Sequence, residues 1–280
     1  MNDNFGPNPW HQTNWDFRAA LNFIFGGAGA GLLVVSAFSG MSGDALRAVL
    51  LLGMALIGAG LLSVWFEIGR PLRALNVGFN PFTSWMTRES FVAGLVFALG
   101  LAATWLASSP LAMATALAAL LFVYCQGRIL QASKGIPAWR VPALIWLVFT
   151  TGLAEGAGVF VALAALFDTP AKGALGYFSL ALIARAVAWS MYRDGVAKSA
   201  VRAALDALDR SGKMLIQFGT IAPLALLLAG WFVPDIARVA VLLAGVAALA
   251  TGWQFKFVLI VRAAYNQGFA LPHLPVRGTR

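Results

Sequence analysis

The chain has 280 residues, of which 60% are hydrophobic and 11% charged, with a mean hydropathy of +0.79, against roughly 45–50% and about 25% in soluble domains. At about 20 residues per crossing helix, such a chain fills a membrane with eight helices and short loops, which excludes an extramembrane catalytic domain, and its long apolar runs exclude an outer-membrane barrel. Two histidines, His11 and His273, and one cysteine, Cys125, leave no set of ligands for a haem between helices, an iron–sulfur cluster or a structural zinc, so any electrons that pass are carried by something other than a built-in metal.

The segment Asn14-Trp15-Asp16-Phe17-Arg18 opens the first predicted helix, 17 to 39. No basic region precedes its apolar stretch, so it does not read as a cleaved signal peptide and is expected to be retained. Asn22 stands one turn beyond Arg18 on the same face, and in hydrocarbon its amide needs a neighbouring helix or the polar head of a ligand. The glycines from Gly26 to Gly31 follow. Gly27 and Gly31 have the spacing that brings another backbone close, which suits either helix packing or a flat ring.

The second predicted helix, 45 to 67, ends at Glu67 before Pro71. The densest polar stretch of the chain connects it to the third, 88 to 108, and runs from Glu67 through Arg70, Arg73, Asn76, Asn80 and Trp85 to Arg88 and Glu89. Gly78 and Pro81 call for turns, and Ser84 or Thr87 is placed to cap the third helix. Glu67 and Glu89 sit at membrane ends beside Arg70, Arg73 and Arg88. They read either as groups that take up and release protons or as interface ion pairs that orient the helices.

The fourth predicted helix, 110 to 130, ends Tyr124-Cys125-Gln126-Gly127-Arg128. Tyr124 is either a donor to a buried carbonyl or an ordinary interfacial aromatic, and Cys125 reads as an inert buried thiol. The fifth, 141 to 167, carries Glu155 fifteen residues past Arg140, roughly 22 Å along the helix and near mid-membrane. Arg185 in the sixth, 172 to 192, and Lys256 in the eighth, 236 to 262, stand close enough to helix ends to snorkel. Glu155 with Arg185 makes either a structural ion pair or part of a proton path. Residues 193 to 213, with Lys198, Arg202, Asp206 and Arg210 at helical spacing, are expected to form a short surface helix acting as a cytoplasmic connector before the seventh span, 212 to 232.

The fold class is therefore all-α: a polytopic membrane protein built as a bundle of eight transmembrane helices, one integral membrane domain over 1–280. Gly-Ala-Gly at 29–31 and again at 156–158 suits either two related four-helix halves, 1–130 and 141–265, or close packing alone. Fifteen Lys and Arg fall on the side that bears both termini and three on the other, with Arg185 and Lys256 between. That bias places both termini in the cytoplasm. It also accounts for the net charge of +9 through contact with anionic lipid or an acidic partner, with no nucleic acid.

The string Gly69-Arg70-Pro71-Leu72-Arg73-Ala74, followed by Ser84-Trp85-Met86-Thr87-Arg88-Glu89, closely resembles the signature of the dimethyl-sulfoxide-reductase anchor subunit family, which is related to polysulfide and nitrite reductase membrane subunits. The resemblance covers essentially the whole chain. It implies a bacterial or archaeal inner-membrane anchor for a molybdopterin catalytic subunit and an iron–sulfur electron-transfer subunit. Electrons would be exchanged with a quinone or quinol, with no haem, iron–sulfur cluster or molybdenum in this chain. Glu89 matches the acidic residue of the signature, with Glu67 as the second proton-carrying carboxylate where the family often has His. Asn22, Tyr124, Arg18, Arg70, Trp85 and Arg88 are the expected quinone contacts, and Arg73 and Arg128 the expected docking residues. A cytoplasmic docking face favours a catalytic partner that oxidises an internal metabolite, as in the phenylacetyl-CoA:acceptor oxidoreductase branch. An anchor of an exported dimethyl sulfoxide, tetrathionate or polysulfide reductase is the alternative, and a secondary transporter or a purely structural anchor are the rivals of other classes.

Overall fold

The computed structural model of the protein describes residues 9–67, 76–167 and 172–268. Arg70 and Arg73, with the first half of the signature, lie outside the described residues. Nine α-helices are named here: α1 Phe17–Phe38, α2 Gly43–Glu67, α3 Trp85–Leu106, α4 Ser109–Ala132, α5 Ala143–Leu166, α6 Lys172–Val196, α7 Arg202–Ile216, α8 Ala222–Phe232 and α9 Ala237–Phe257. No strand is present among the described residues. Their starts follow the chain chemistry. Asp16 caps α1 by accepting from the Arg18 N–H at 2.7 Å, Ser84 caps α3 by accepting from the Thr87 N–H at 3.3 Å, and Ser108 caps α4 with Pro110 in the first turn. Each cap supplies an acceptor to a helix-end N–H that has none within the helix.

Among the described residues, eight helices are long and apolar enough to cross a membrane. The seventh runs without interruption from Arg202 to Phe232 through α7, a π-turn at Gln217–Ile221 and α8, and the eighth ends in a second π-turn at Val258–Arg262. Within the stretch 193 to 213, where a short surface helix is expected, a helix does form, and it runs on into the seventh span. Helix α6 continues to Val196, a short turn follows, and the polar stretch from Arg202 is the leading end of the seventh span. Its helix is held by a buried stripe of Ala204, Leu208, Ser211, Gly212 and Leu215, a 3.6-residue repeat that packs inward while Arg202 pairs with Asp206 outside at 3.1 Å.

Helices α1 and α5 are the most enclosed spans, and α1 packs against α2, α4, α5 and α9. The glycines make this closeness possible. A Cβ on Gly31 would stand 2.9 Å from the Gly152 carbonyl carbon and 3.1 Å from the Gly156 Cα, so α1 and α5 meet backbone to backbone. Gly29 meets Gly53 of α2 and Gly158 meets Gly245 of α9 in the same manner. The end of the bundle nearest the N-terminus is tied by Gln12 N–H to the Ala264 carbonyl at 2.9 Å, Trp139 Nε1 to Leu259 at 3.0 Å and the Tyr192 hydroxyl to Ala138 at 2.9 Å.

Candidate functional site

A cavity of about 410 Å³ opens among α1, α2 and α3 at that same end. Its wall is mostly apolar, from Trp15, Ala19, Phe23, Leu61, Val64, Met86 and Ile129, with Asn22, Glu67, Glu89 and Ser90 as polar points. The α3 cap places Glu89 one turn into the helix, where it is buried at 5% exposure. Asn22 donates to the Glu89 carboxylate from Nδ2 at 3.4 Å, and fully buried Gln126 of α4 donates from Nε2 to the Asn22 carbonyl at 2.9 Å. Gln126 also interacts with the Glu89 carboxylate. With both amide NH₂ groups engaged, Asn22 Oδ1 and Gln126 Oε1 are left buried without a hydrogen-bond partner among the described residues. Gly60 lets α2 approach this turn, because a Cβ there would lie 3.1 Å from the Asn22 carbonyl oxygen.

The cavity mouth holds the second carboxylate. Glu67, the last residue of α2, lies beside Asp16 and Arg18. Arg18 pairs with Asp16 at 2.8 Å and donates to the Phe66 carbonyl at 3.1 Å, so it latches the starts of α1 and the end of α2. Its guanidinium holds the Asp16 carboxyl below the usual carboxylate range. A buried carboxylate at the back and a half-buried one at the mouth make an arrangement that can pass protons between an enclosed polar head group and water.

The expected site divides here. Trp85, Arg88, Tyr124 and Arg128 do not line the cavity. They form a separate cluster on the outer side of α3 and α4, in which the guanidiniums of Arg88 and Arg128 stand 4.2 and 4.4 Å from the Trp85 ring centroid and Tyr124 meets the same ring edge-on at 6.0 Å. Two residues along a helix turn a side chain by about 200°, so Tyr124 and Gln126 cannot both face the interior. Gln126 does, and the sequence reading passed over it. Its signal was an uncharged amide flanked by Cys125 and Gly127, three small or polar residues that suit a close inner face.

The deep charges lie elsewhere. Lys256 is the partner of Glu155, at 2.6 Å, with the two side chains 1% and 0% exposed. This corrects the expected pairing of Glu155 with Arg185 and the expected snorkelling of both cations. Lys256 stays inside because Gly27 leaves room for its ammonium and the Phe23 carbonyl accepts a second bond at 2.8 Å. Arg185, fully buried, donates to the Ala248 carbonyl at 3.1 Å and to Gly219 in the π-turn, with Thr220 alongside. Glu155 Oε1, Thr151 Oγ1 and Arg185 Nε have no hydrogen-bond partner among the described residues. Cys125 is a free buried thiol.

No curated protein matches the chain. The sequence profile of one family, described as DMSO reductase anchor subunit (DmsC), matches residues 13–263, a stretch that holds all eight spans, the cavity and the signature loop. The chain therefore belongs to the DMSO reductase anchor subunit family.

Proposed function

We propose that this chain anchors an iron–sulfur subunit and a molybdopterin catalytic subunit at the membrane and exchanges electrons between them and a quinone or quinol held in the cavity of α1, α2 and α3. The family description supports the anchoring role in an oxidoreductase complex. The observation that carries the quinone reading is the pair of Glu89 and Asn22 in the wall of a mostly apolar cavity, with Gln126 behind them holding the Asn22 carbonyl. The fit is chemical: a flat apolar ring matches the walls, the unpartnered Asn22 Oδ1 and the Glu89 carboxylate can accept from the hydroxyls of a quinol, and a protonated Glu89 can donate to a quinone carbonyl.

A bound quinone supplies a two-electron, two-proton carrier, and this chain supplies position and proton transfer. Asn22 orients the Glu89 carboxylate, Glu89 exchanges a proton with the head group, and Glu67 at the mouth relays it towards water. Fifteen basic residues against three support a cytoplasmic docking face and so a catalytic partner acting on an internal metabolite, with an acyl-CoA thioester such as phenylacetyl-CoA as the favoured class. Replacing Glu89 by Gln in the assembled complex should lower quinone-coupled turnover at least 100-fold, the lower end for a positioned acid–base group, while the subunits still co-purify. Normal turnover in the assembled E89Q complex would remove the cavity from the mechanism.

A further inference from the structure

The Trp85 cluster is not used by the cavity, yet it is built. Arg88 is fixed by bonds from Nε to the Pro81 carbonyl at 2.8 Å and from Nη2 to the Phe82 carbonyl at 2.6 Å. Arg128 donates to the Tyr124 hydroxyl at 3.4 Å, and its Nε is buried without a hydrogen-bond partner among the described residues. Their contacts to one indole ring hold the two charges within about 9 Å of each other. The ion pairs among the described residues involve other side chains, so among those residues neither guanidinium has a carboxylate to neutralise it. Two like charges stacked on one ring repel, and an anion between them removes that cost.

The surroundings identify the anion. On α4, Leu117 and Leu121 are 61% and 47% exposed and continue at helical spacing into Tyr124 and Arg128; on α3, Phe91 and Leu95 are 57% and 48% exposed and lead at the same spacing to Arg88. Both arginines thus top apolar faces that point to lipid, with exposed Trp146 of α5 beside Tyr124. A guanidinium pair above a lipid-facing apolar surface, at the level of interfacial aromatics, matches a phosphodiester with acyl chains beneath it. We propose that Arg88, Trp85 and Arg128 form the headgroup site of an anionic phospholipid whose chains lie along the outer faces of α3 and α4.

The test is lipid retention by the delipidated, assembled complex, titrated with phosphatidylglycerol or phosphatidylcholine and read by native mass spectrometry. Phosphatidylglycerol should be held in preference to phosphatidylcholine. R128Q and R88Q should each weaken it about fivefold, and the double variant about thirtyfold, at roughly 1 kcal/mol per surface cation. R128K, which keeps the charge, should stay within about twofold, and K134Q, at an exposed lysine on the same side, should match the wild type. Equal retention of the two lipids, or no response to either arginine change, overturns the proposal. So does displacement of phosphatidylglycerol by millimolar inorganic phosphate, which marks a free-anion site. Loss of the iron–sulfur subunit from R128Q with lipid retained marks a protein-docking site and overturns it as well.

Discussion

Removing either member of the Lys256–Glu155 pair should cost far more than removing both. Lys256 Nζ stands 2.6 Å from Glu155 and 2.8 Å from the Phe23 carbonyl, with both side chains at or below 1% exposure. Lys256→Met leaves Glu155 facing Gly252 and Gly27 with no cation in hydrogen-bond contact, because Arg185 is committed to Ala248 and Gly219. Glu155→Gln leaves a buried ammonium with neutral oxygens to accept from it and no counter-charge. A buried charge stripped of its partner costs about 3–5 kcal/mol, a shift of roughly 10² to 10⁴ in the folding equilibrium. The double variant carries no unpaired charge, so its cost should fall at least about 3 kcal/mol below the sum of the singles. Unfolding of the four proteins by SDS in mixed micelles, followed by the fluorescence of the ten tryptophans, measures all of these terms. Single variants that lose less than about 1 kcal/mol, or a double variant that is additive within about 0.5 kcal/mol, would refute the placement of the pair in the core.

Further outcomes follow from the same geometry. Gln126→Leu withdraws a neutral hydrogen bond from the Asn22 carbonyl and a contact from the Glu89 carboxylate and loosens the cavity wall, so the quinone KM of the complex should rise about 2- to 10-fold; an unchanged KM separates Gln126 from the site. Gly156→Val drives a side chain into the Gly31 backbone and should destabilise by more than about 3 kcal/mol, whereas Gly94→Ala, with open space around it, should stay within about 0.5 kcal/mol in the same unfolding assay. Asp16 titrates below the ordinary carboxylate range, so its cap and ion pair are intact above pH of about 4 and are lost as pH falls through the lowered value. The wild type should therefore lose more thermal stability between pH 6 and pH 3 than Asp16→Ala, and equal losses would remove the linkage.

The spans were legible because a helix in hydrocarbon must be apolar along its whole length, and nothing else in this chain is. The seventh span was misread at its start for the same reason: hydropathy marks where lipid begins, while the backbone hydrogen bonds of α7 continue into water on the strength of one inward stripe from Ala204 to Leu215. The signature loop and Asn22 point to the bundle end where the cavity lies, but azimuth decides which neighbours face in. Tyr124, Gln126 and Arg128 share a few ångströms of helix rise yet serve two different surfaces. The partner of Glu155 was hidden for a further reason. Three charges on three helices have no sequence relation, and the choice of Lys256 over Arg185 is made by Gly27, whose missing side chain is occupied by the ammonium.

That glycine also links the deep ion pair to the cavity. On one turn of α1 the carbonyl of Asn22 accepts from Gln126 of α4 and the next carbonyl, of Phe23, accepts from Lys256 of α9. Asn22 and Phe23 both line the cavity. The wall that presents Asn22 to Glu89 is thus held by side-chain donors from two other helices, in addition to the backbone bonds of α1 itself. A turn pinned on two sides keeps its geometry when the head group changes charge or leaves. If the cavity is the quinone site proposed above, the buried charge at Lys256 bears on it through position, and the Lys256→Met complex should show a raised quinone KM even where Glu89 and its neighbours are untouched. A normal KM in an assembled Lys256→Met complex would show that α1 holds its turn without the ammonium and would confine Lys256 to stability alone.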